Sequence, residues 1–88
     1  MPIISQFYGI IITMYFSESN SHHLPHIHTR YNEHKATYDL NSNKLNGSMP
    51  NKQDKLIQAW VQIHKEELES LWILIREENK YFKIKPLI

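Results

Sequence analysis

The chain has 88 residues, 41% of them hydrophobic, and a formal net charge of +1. This size and composition predict one ordered domain, residues 1–88, with a single core. The absence of cysteine excludes disulfides and thiol chemistry. The near-neutral charge excludes a global attraction to nucleic acid or anionic membranes, so such binding would need a local patch.

The first apolar segment predicts two opening strands, residues 2–6 and 7–16, with Gly9 at a bend or bulge between them. Residues 10–16 are almost continuously apolar, which predicts a central strand buried on both faces. The run is too short to span a bilayer, and no basic segment precedes it. We therefore expect a cytoplasmic protein without membrane contact.

Four of the six histidines lie between residues 22 and 28, around Pro25. Pro25 fixes its own φ and favours extended backbone at Leu24, so the chain enters His26 in a strand-like conformation. Residues 26–31 are therefore predicted to form a strand. Side chains alternate along a strand, which puts three polar residues on one face: His26, His28 and Arg30. The opposite face is then the one directed at the core and holds Ile27, Thr29 and Tyr31.

This histidine segment allows three interpretations. In a nuclease, His26 and His28 would act as general base and general acid, and Arg30 would bind the phosphate. In a metal-binding module, His23 from the preceding loop would join His26 and His28 around a divalent transition metal such as zinc, copper or nickel. In a non-catalytic interaction domain, the histidines would only shape the polar face of an edge strand.

The middle of the chain predicts a second hairpin strand over residues 35–40, with Asp39 on its polar side near the histidines. Residues 41–49 are rich in turn formers, and a short extra strand fits around Lys44 and Leu45. Pro50 lies where helices commonly begin, with Asn51 or Ser48 as the candidate N-cap.

Apolar residues recur at spacings of three and four from residue 52 to residue 79, which predicts helix. One unbroken helix would be long for a domain of this size, so two shorter helices meeting near residues 64–66 are favoured. Trp60 and Trp72 are predicted to anchor the core, and His64 to be a packed, hydrogen-bonded residue. In the tail, Phe82 and Ile84 are expected to form an edge strand or pack along the helices. The fold class is therefore α+β: a small, mostly antiparallel sheet from the N-terminal half, packed by one long or two shorter C-terminal helices.

Nearly the whole chain resembles a small bacterial family known as domain of unknown function 4160 (DUF4160). The most specific match is residues 23–31, His-Leu-Pro-His-Ile-His-Thr-Arg-Tyr, which resembles a Pro-Pro-His-Phe-His-Val-Arg-Tyr signature. Leu24 and Ile27 depart from that signature but keep an extended strand. Other matching positions are residues 2–10, Met14, Tyr15, Trp60, residues 64–68, Trp72 and residues 85–87.

The resemblance implies a toxin–antitoxin-like gene context and no established activity. The partners that it implies are a small cognate protein encoded nearby and RNA. A second copy of the chain is a further candidate.

Overall fold

A computed structural model describes residues 2–16 and 24–87. It contains a five-stranded antiparallel sheet in the N-terminal half and two helices in the C-terminal half. The strands are β1 (Ile3–Phe7), β2 (Ile10–Thr13), β3 (His26–Tyr31), β4 (His34–Asp39) and β5 (Lys44–Gly47). The helices are α1 (Asn51–Ile63) and α2 (Lys65–Glu78). The predicted α+β fold and the two-helix alternative are both confirmed.

The sheet is a meander in which every strand pairs with the next one along the chain. Two-residue turns join β1 to β2 and β3 to β4, and each contains residues in the left-handed region of backbone space: Tyr8 (φ 50°), Gly9 (φ 78°) and Asn32 (φ 52°). Such turns match the twist of the paired strands. The predicted bend at Gly9 is confirmed, but the strand bounds 7–16 are wrong, because the chain reverses at Tyr8 and Gly9 and β2 ends at Thr13.

Only one face of the sheet is covered by the helices. In β2, Ile10 and Ile12 are fully buried, whereas Ile11 and Thr13 are half-buried. The prediction that this strand is buried on both faces is wrong. A run of apolar letters cannot distinguish burial on two faces from burial on one face plus a partly covered second face.

The core lies between the sheet and the two helices. Its fully buried side chains include Ile4, Ile10, Ile12, Met14, Ile27, Tyr38, Ile57, Trp60, Val61, Leu68 and Leu71. The hydroxyl of Tyr38 donates a hydrogen bond to the Asp54 carboxylate on α1, which joins β4 to the helix. The pKa of Tyr38 is raised well above its usual value, mainly by burial and secondly by this hydrogen bond. Trp60 and Trp72 are both buried, as predicted.

The helical segment breaks at His64, within the predicted junction at residues 64–66. His64 (φ −108°, ψ 22°) ends α1 and precedes α2, and its ring Nδ1 lies 2.6 Å from Glu67 Oε1. The ring also packs against Trp60, with centroids 5.4 Å apart. His64 is thus the packed, hydrogen-bonded residue that the sequence indicated.

The expected N-cap was wrong, and of the two alternatives for the tail only packing holds. Pro50 itself is the N-cap of α1, without a side-chain cap from Ser48 or Asn51. The tail forms no strand within residues 80–87. A backbone bond from Ile84 N–H to the Ile4 carbonyl (2.8 Å) joins the tail to β1, and the Trp60 indole of α1 donates to the Lys85 carbonyl. Ile84 is buried in the core, so it packs as the second alternative expected, whereas Phe82 is exposed. Lys83 and Lys85 on either side of Ile84 are exposed, so only one side of this segment packs.

Gly47 provides the sharpest stability test of the fold. Its φ is +84°, and a Cβ there would lie 2.8 Å from Ala36 Cα and closer still to the Lys35 carbonyl oxygen. We expect Gly47→Ala to lower the free energy of unfolding by about 3 kcal/mol or more, measured by urea denaturation, because rigid backbone cannot move aside.

Gly9→Ala is the matched control for this experiment. Gly9 has a similar φ of +78°, but its nearest neighbour would be the Tyr31 side chain at 3.4 Å. Gly9→Ala should lower the free energy of unfolding by about 1–2 kcal/mol, because only the left-handed backbone conformation is unfavourable for alanine there. Equal losses in the two variants would contradict the clash at Gly47.

Candidate functional site

The three polar residues predicted from the sequence all lie on strand β3, but they differ in how deeply they are buried. Ile27 and Thr29 face the core and are buried, as expected from their alternation with the polar set. Of the three polar residues, His26 is 3% exposed, His28 is half-buried and Arg30 is exposed. The shared strand is thus confirmed, but the three side chains have unequal access to a ligand.

His26 is held by its own strand entry and by α2. Its Nδ1 lies 2.7 Å from the Leu24 carbonyl oxygen, which can only accept, so Nδ1 carries the proton. Its ring packs against Trp72, with centroids 5.1 Å apart. Neutral His26 therefore has Nε2 as its unprotonated nitrogen.

A row of aromatic rings runs from the helix layer to the open side of the sheet. After Trp72 and His26 comes His28, whose ring lies edge-on to His26 with centroids 5.0 Å apart. Tyr15 then stacks on His28, at 4.5 Å and an interplanar angle of 10°. This row fixes the orientation of His28 from both sides.

His28 is a neutral imidazole at pH 7. Its pKa is lowered, first by burial and then by the neighbouring His26. Its Nδ1 lies 3.4 Å from the Thr37 hydroxyl, and its Nε2 is buried without a hydrogen-bond partner among the described residues. His28 is therefore a neutral ring whose Nε2 has no hydrogen-bond partner in the described part of the chain.

Arg30 and Lys35 face each other across β3 and β4. Their Cα atoms are register partners, so both side chains lie on the face of the sheet that the helices leave uncovered. The Arg30 Nε donates to the Asn32 carbonyl at 3.3 Å. Within residues 2–16 and 24–87, neither cation forms an ion pair. Like charges placed opposite each other in a sheet are unfavourable, so this pair costs some stability.

These residues line a shallow depression on the uncovered face, with a volume of about 620 Å³. We call it the outer groove. Its polar lining includes His28, Arg30, Lys35, Thr37 and Asn46, and its apolar lining includes Ile3, Ile11 and the Tyr15 ring. None of the residues lining the outer groove is acidic.

Asp39 does not support the histidines, although it pairs with His26 in the sheet register. Its carboxylate accepts hydrogen bonds from the backbone N–H groups of Asn41 (2.8 Å) and Asn43 (2.9 Å). The carboxylate therefore closes the turn between β4 and β5. A role beside the imidazoles was a reasonable expectation from alternation, but local backbone donors engage it instead.

The metal hypothesis needs a residue outside the described structure. His23 lies in residues 17–23, which the structure does not describe. Across residues 2–16 and 24–87, no group of three His, Cys, Asp or Glu side chains is arranged to hold a metal ion. His26 and His28 are adjacent, so two of the three proposed ligands are brought together.

Sequence reasoning missed the neighbours that complete the site. Tyr15 and Trp72 were assigned to the core, and Lys35, Thr37 and Asn46 received no functional role. The antiparallel register that places Lys35 opposite Arg30 and Thr37 opposite His28 depends on the two-residue turn at Asn32 and Glu33. A hairpin built on that turn length would have revealed both pairs.

Comparison with known proteins gives one result. A family model described as "Domain of unknown function (DUF4160)" matches residues 9–73, about three quarters of the chain. No curated protein and no solved structure matches the chain.

In the described part of the chain, neither helix has the length and apolar character needed to cross a bilayer.

The lowered pKa of His28 predicts acid sensitivity. An unfolded histidine titrates near pH 6.5. As pH falls below that value, the unfolded chain binds a proton before folded His28 does, so stability is full above about pH 6.5 and declines below it. Urea unfolding between about pH 8 and pH 5 should show this decline, and it should be smaller in His28→Gln.

His34→Gln, on the adjacent strand, is the control and should keep the wild-type pH dependence. An NMR titration of the His28 ring gives an independent check. A midpoint at or above that of an unfolded histidine would contradict the burial argument.

Proposed function

The chain belongs to the DUF4160 family, and we propose that it is a cytoplasmic bacterial toxin–antitoxin-like component that binds RNA through the outer groove. The observation that carries the proposal is the pairing of Arg30 with Lys35 in a groove without acidic lining residues. Two adjacent cations without ion-pair partners in the described structure suit a phosphodiester, whose oxygens accept from both guanidinium and ammonium groups.

The aromatic side of the groove complements the two cations. The stacked pair of Tyr15 and neutral His28 forms a wall beside them. Unpaired RNA bases stack on tyrosine rings, while the backbone follows positive charge. His28 is held between His26 and Tyr15, so its role is to support the Tyr15 ring. The Thr37 hydroxyl and the Asn46 amide add donors and acceptors along the same wall.

Binding is better supported than catalysis by the geometry of the histidines. His26 is buried against Trp72, and in this arrangement it orients His28 and does not line the groove. Assigning His26 and His28 as base and acid, with Arg30 on the phosphate, stays a prediction. Cleavage of the bound RNA would support it.

The test is fluorescence anisotropy with a labelled single-stranded RNA. Arg30→Ala and Lys35→Ala should each weaken binding on the order of tenfold, about 1.4 kcal/mol, and each should reduce the salt dependence by about one ion. Both side chains are exposed, so circular dichroism should show an unchanged fold.

Lys55→Ala is the matched control, because Lys55 is an exposed cation on α1, away from the outer groove. It should bind like the wild type. Equal losses in all three variants would reduce the effect to overall charge, and no measurable RNA binding by the wild type would refute the proposal.

A metal-binding module is the second candidate, and the hydrogen bonding of the histidine rings favours it. His26 Nδ1 bonds to a backbone carbonyl and His28 Nδ1 lies next to a hydroxyl, which is how metal-ligating histidines are commonly oriented. Coordination would then use Nε2 of His28, which has no hydrogen-bond partner among the described residues, with His26 and His23 as the other ligands.

Elemental mass spectrometry of the purified untagged protein tests this second candidate. This second candidate predicts that the wild type contains stoichiometric zinc, copper or nickel, that His28→Ala loses the metal and that His34→Ala retains it. A metal-free wild type whose melting temperature does not respond to added metal would contradict it.

A further inference from the structure

A second groove lies at the C-terminal end of α2, with a volume of about 590 Å³. We call it the helix-end groove. The lining residues that matter here are Tyr15, Phe16, Arg76, Lys80 and Tyr81. It is therefore built from the segment that follows β2, the last turn of α2 and the start of the tail.

Tyr15 is common to the two grooves. It lines the outer groove and the helix-end groove, and its ring stacks on His28. The next residue, Phe16, packs edge-on against Trp72 of α2, with centroids 5.7 Å apart. These two contacts tie the segment to the sheet on one side and to the helix on the other, so the grooves meet along the Tyr15 side chain.

The two grooves concentrate the positive charge of the chain. Together they contain four cations, Arg30, Lys35, Arg76 and Lys80, and no acidic lining residue. The rest of the chain then carries six cations against nine acidic residues. A protein with a net charge of +1 therefore presents a positive track on a negative background, which suits an extended anion.

Two local features work against an anion in the helix-end groove. Lys80 Nζ lies 3.9 Å from Glu78 Oε1, but both side chains are largely exposed, and such pairs are weak in water. The C-terminus of α2 carries partial negative charge, which Arg76 in the last turn offsets. The positive character of this groove therefore depends on Arg76.

The aromatic residues select the kind of anion. Tyr81 is 51% exposed and lines the helix-end groove, and Tyr15 stands between the two grooves. Separated aromatic rings along a basic track suit unpaired nucleotides, because bases stack on rings while phosphates contact cations. An acidic peptide would match the charges but would not use the rings, and duplex RNA keeps its bases stacked inside the helix.

We infer that the RNA bound in the outer groove is single-stranded and continues past Tyr15 into the helix-end groove, where Arg76 contacts its backbone and Tyr81 stacks on a base. This inference rests on the proposed function and extends it to the substrate class and to a second contact surface. It predicts that affinity rises with length once an oligonucleotide reaches beyond the outer groove.

The test compares a trinucleotide with an oligonucleotide of about twelve residues, a length within the range of known single-strand sites. Binding of the longer RNA should weaken on the order of tenfold in Arg76→Ala and severalfold in Tyr81→Ala, while Tyr81→Phe keeps the ring and stays near wild type. Binding of the trinucleotide, followed by NMR titration, should be unchanged in these variants and weakened in Arg30→Ala.

The outcomes separate the inference from the proposed function. If the longer RNA depends on Arg30 but not on Arg76 or Tyr81, the continuation is wrong and the outer groove stands. If it depends on Arg76 but not on Arg30, or does not bind, the proposed function is wrong as well. Equal affinity for a duplex RNA or for a glutamate-rich peptide of equal length would overturn the assignment to single strands.

Discussion

The buried indole of Trp60 connects the parts of the molecule that are distant in sequence. Its ring packs on Phe7 of β1, with centroids 5.6 Å apart, and on His64 at the helix junction. Its Nε1–H donates to the Lys85 carbonyl at 3.0 Å, which brings in the tail. Because β1, the helix junction and the tail all contact this one residue, the helices and the tail pack on the same face of the sheet. The face that the helices leave uncovered carries both polar and apolar residues and forms the outer groove.

The row of rings from Trp72 to Tyr15 carries that arrangement to the surface. Trp72 belongs to the core, His26 is covered by it, and His28 is held between His26 and Tyr15. A side chain in the outer groove is thus positioned by packing that begins at α2. Rigid support of this kind reduces the side-chain entropy that a binding residue loses when it meets its ligand.

The sequence predicted the elements better than their surroundings. β3, the short β5 and the break at His64 follow from alternation, turn residues and helical spacing, all of which are local signals. The pairing of Arg30 with Lys35 is local and depends on the exact length of one turn, which was predicted one residue too long. The burial of His26 under Trp72 and the place of Tyr15 between two grooves are long-range contacts, which depend on how the helices lie on the sheet and which no local pattern specifies. Gly9 marked the bend between the first two strands, but the bounds of the strand expected over residues 7–16 were wrong, because nothing in an apolar sequence shows that Tyr8 also adopts positive φ.

The meander order of the sheet has a kinetic consequence. Each strand pairs with its immediate successor, so no pairing has to wait for a distant segment of the chain to arrive. The pairs β1–β2 and β3–β4 are joined by only two residues, which keeps the entropy lost on closing each hairpin small. Chains dominated by such near-neighbour contacts reach the native state quickly compared with sheets built from distant strands. The sheet that presents the outer groove can therefore assemble from its hairpins, with the helices closing over the opposite face.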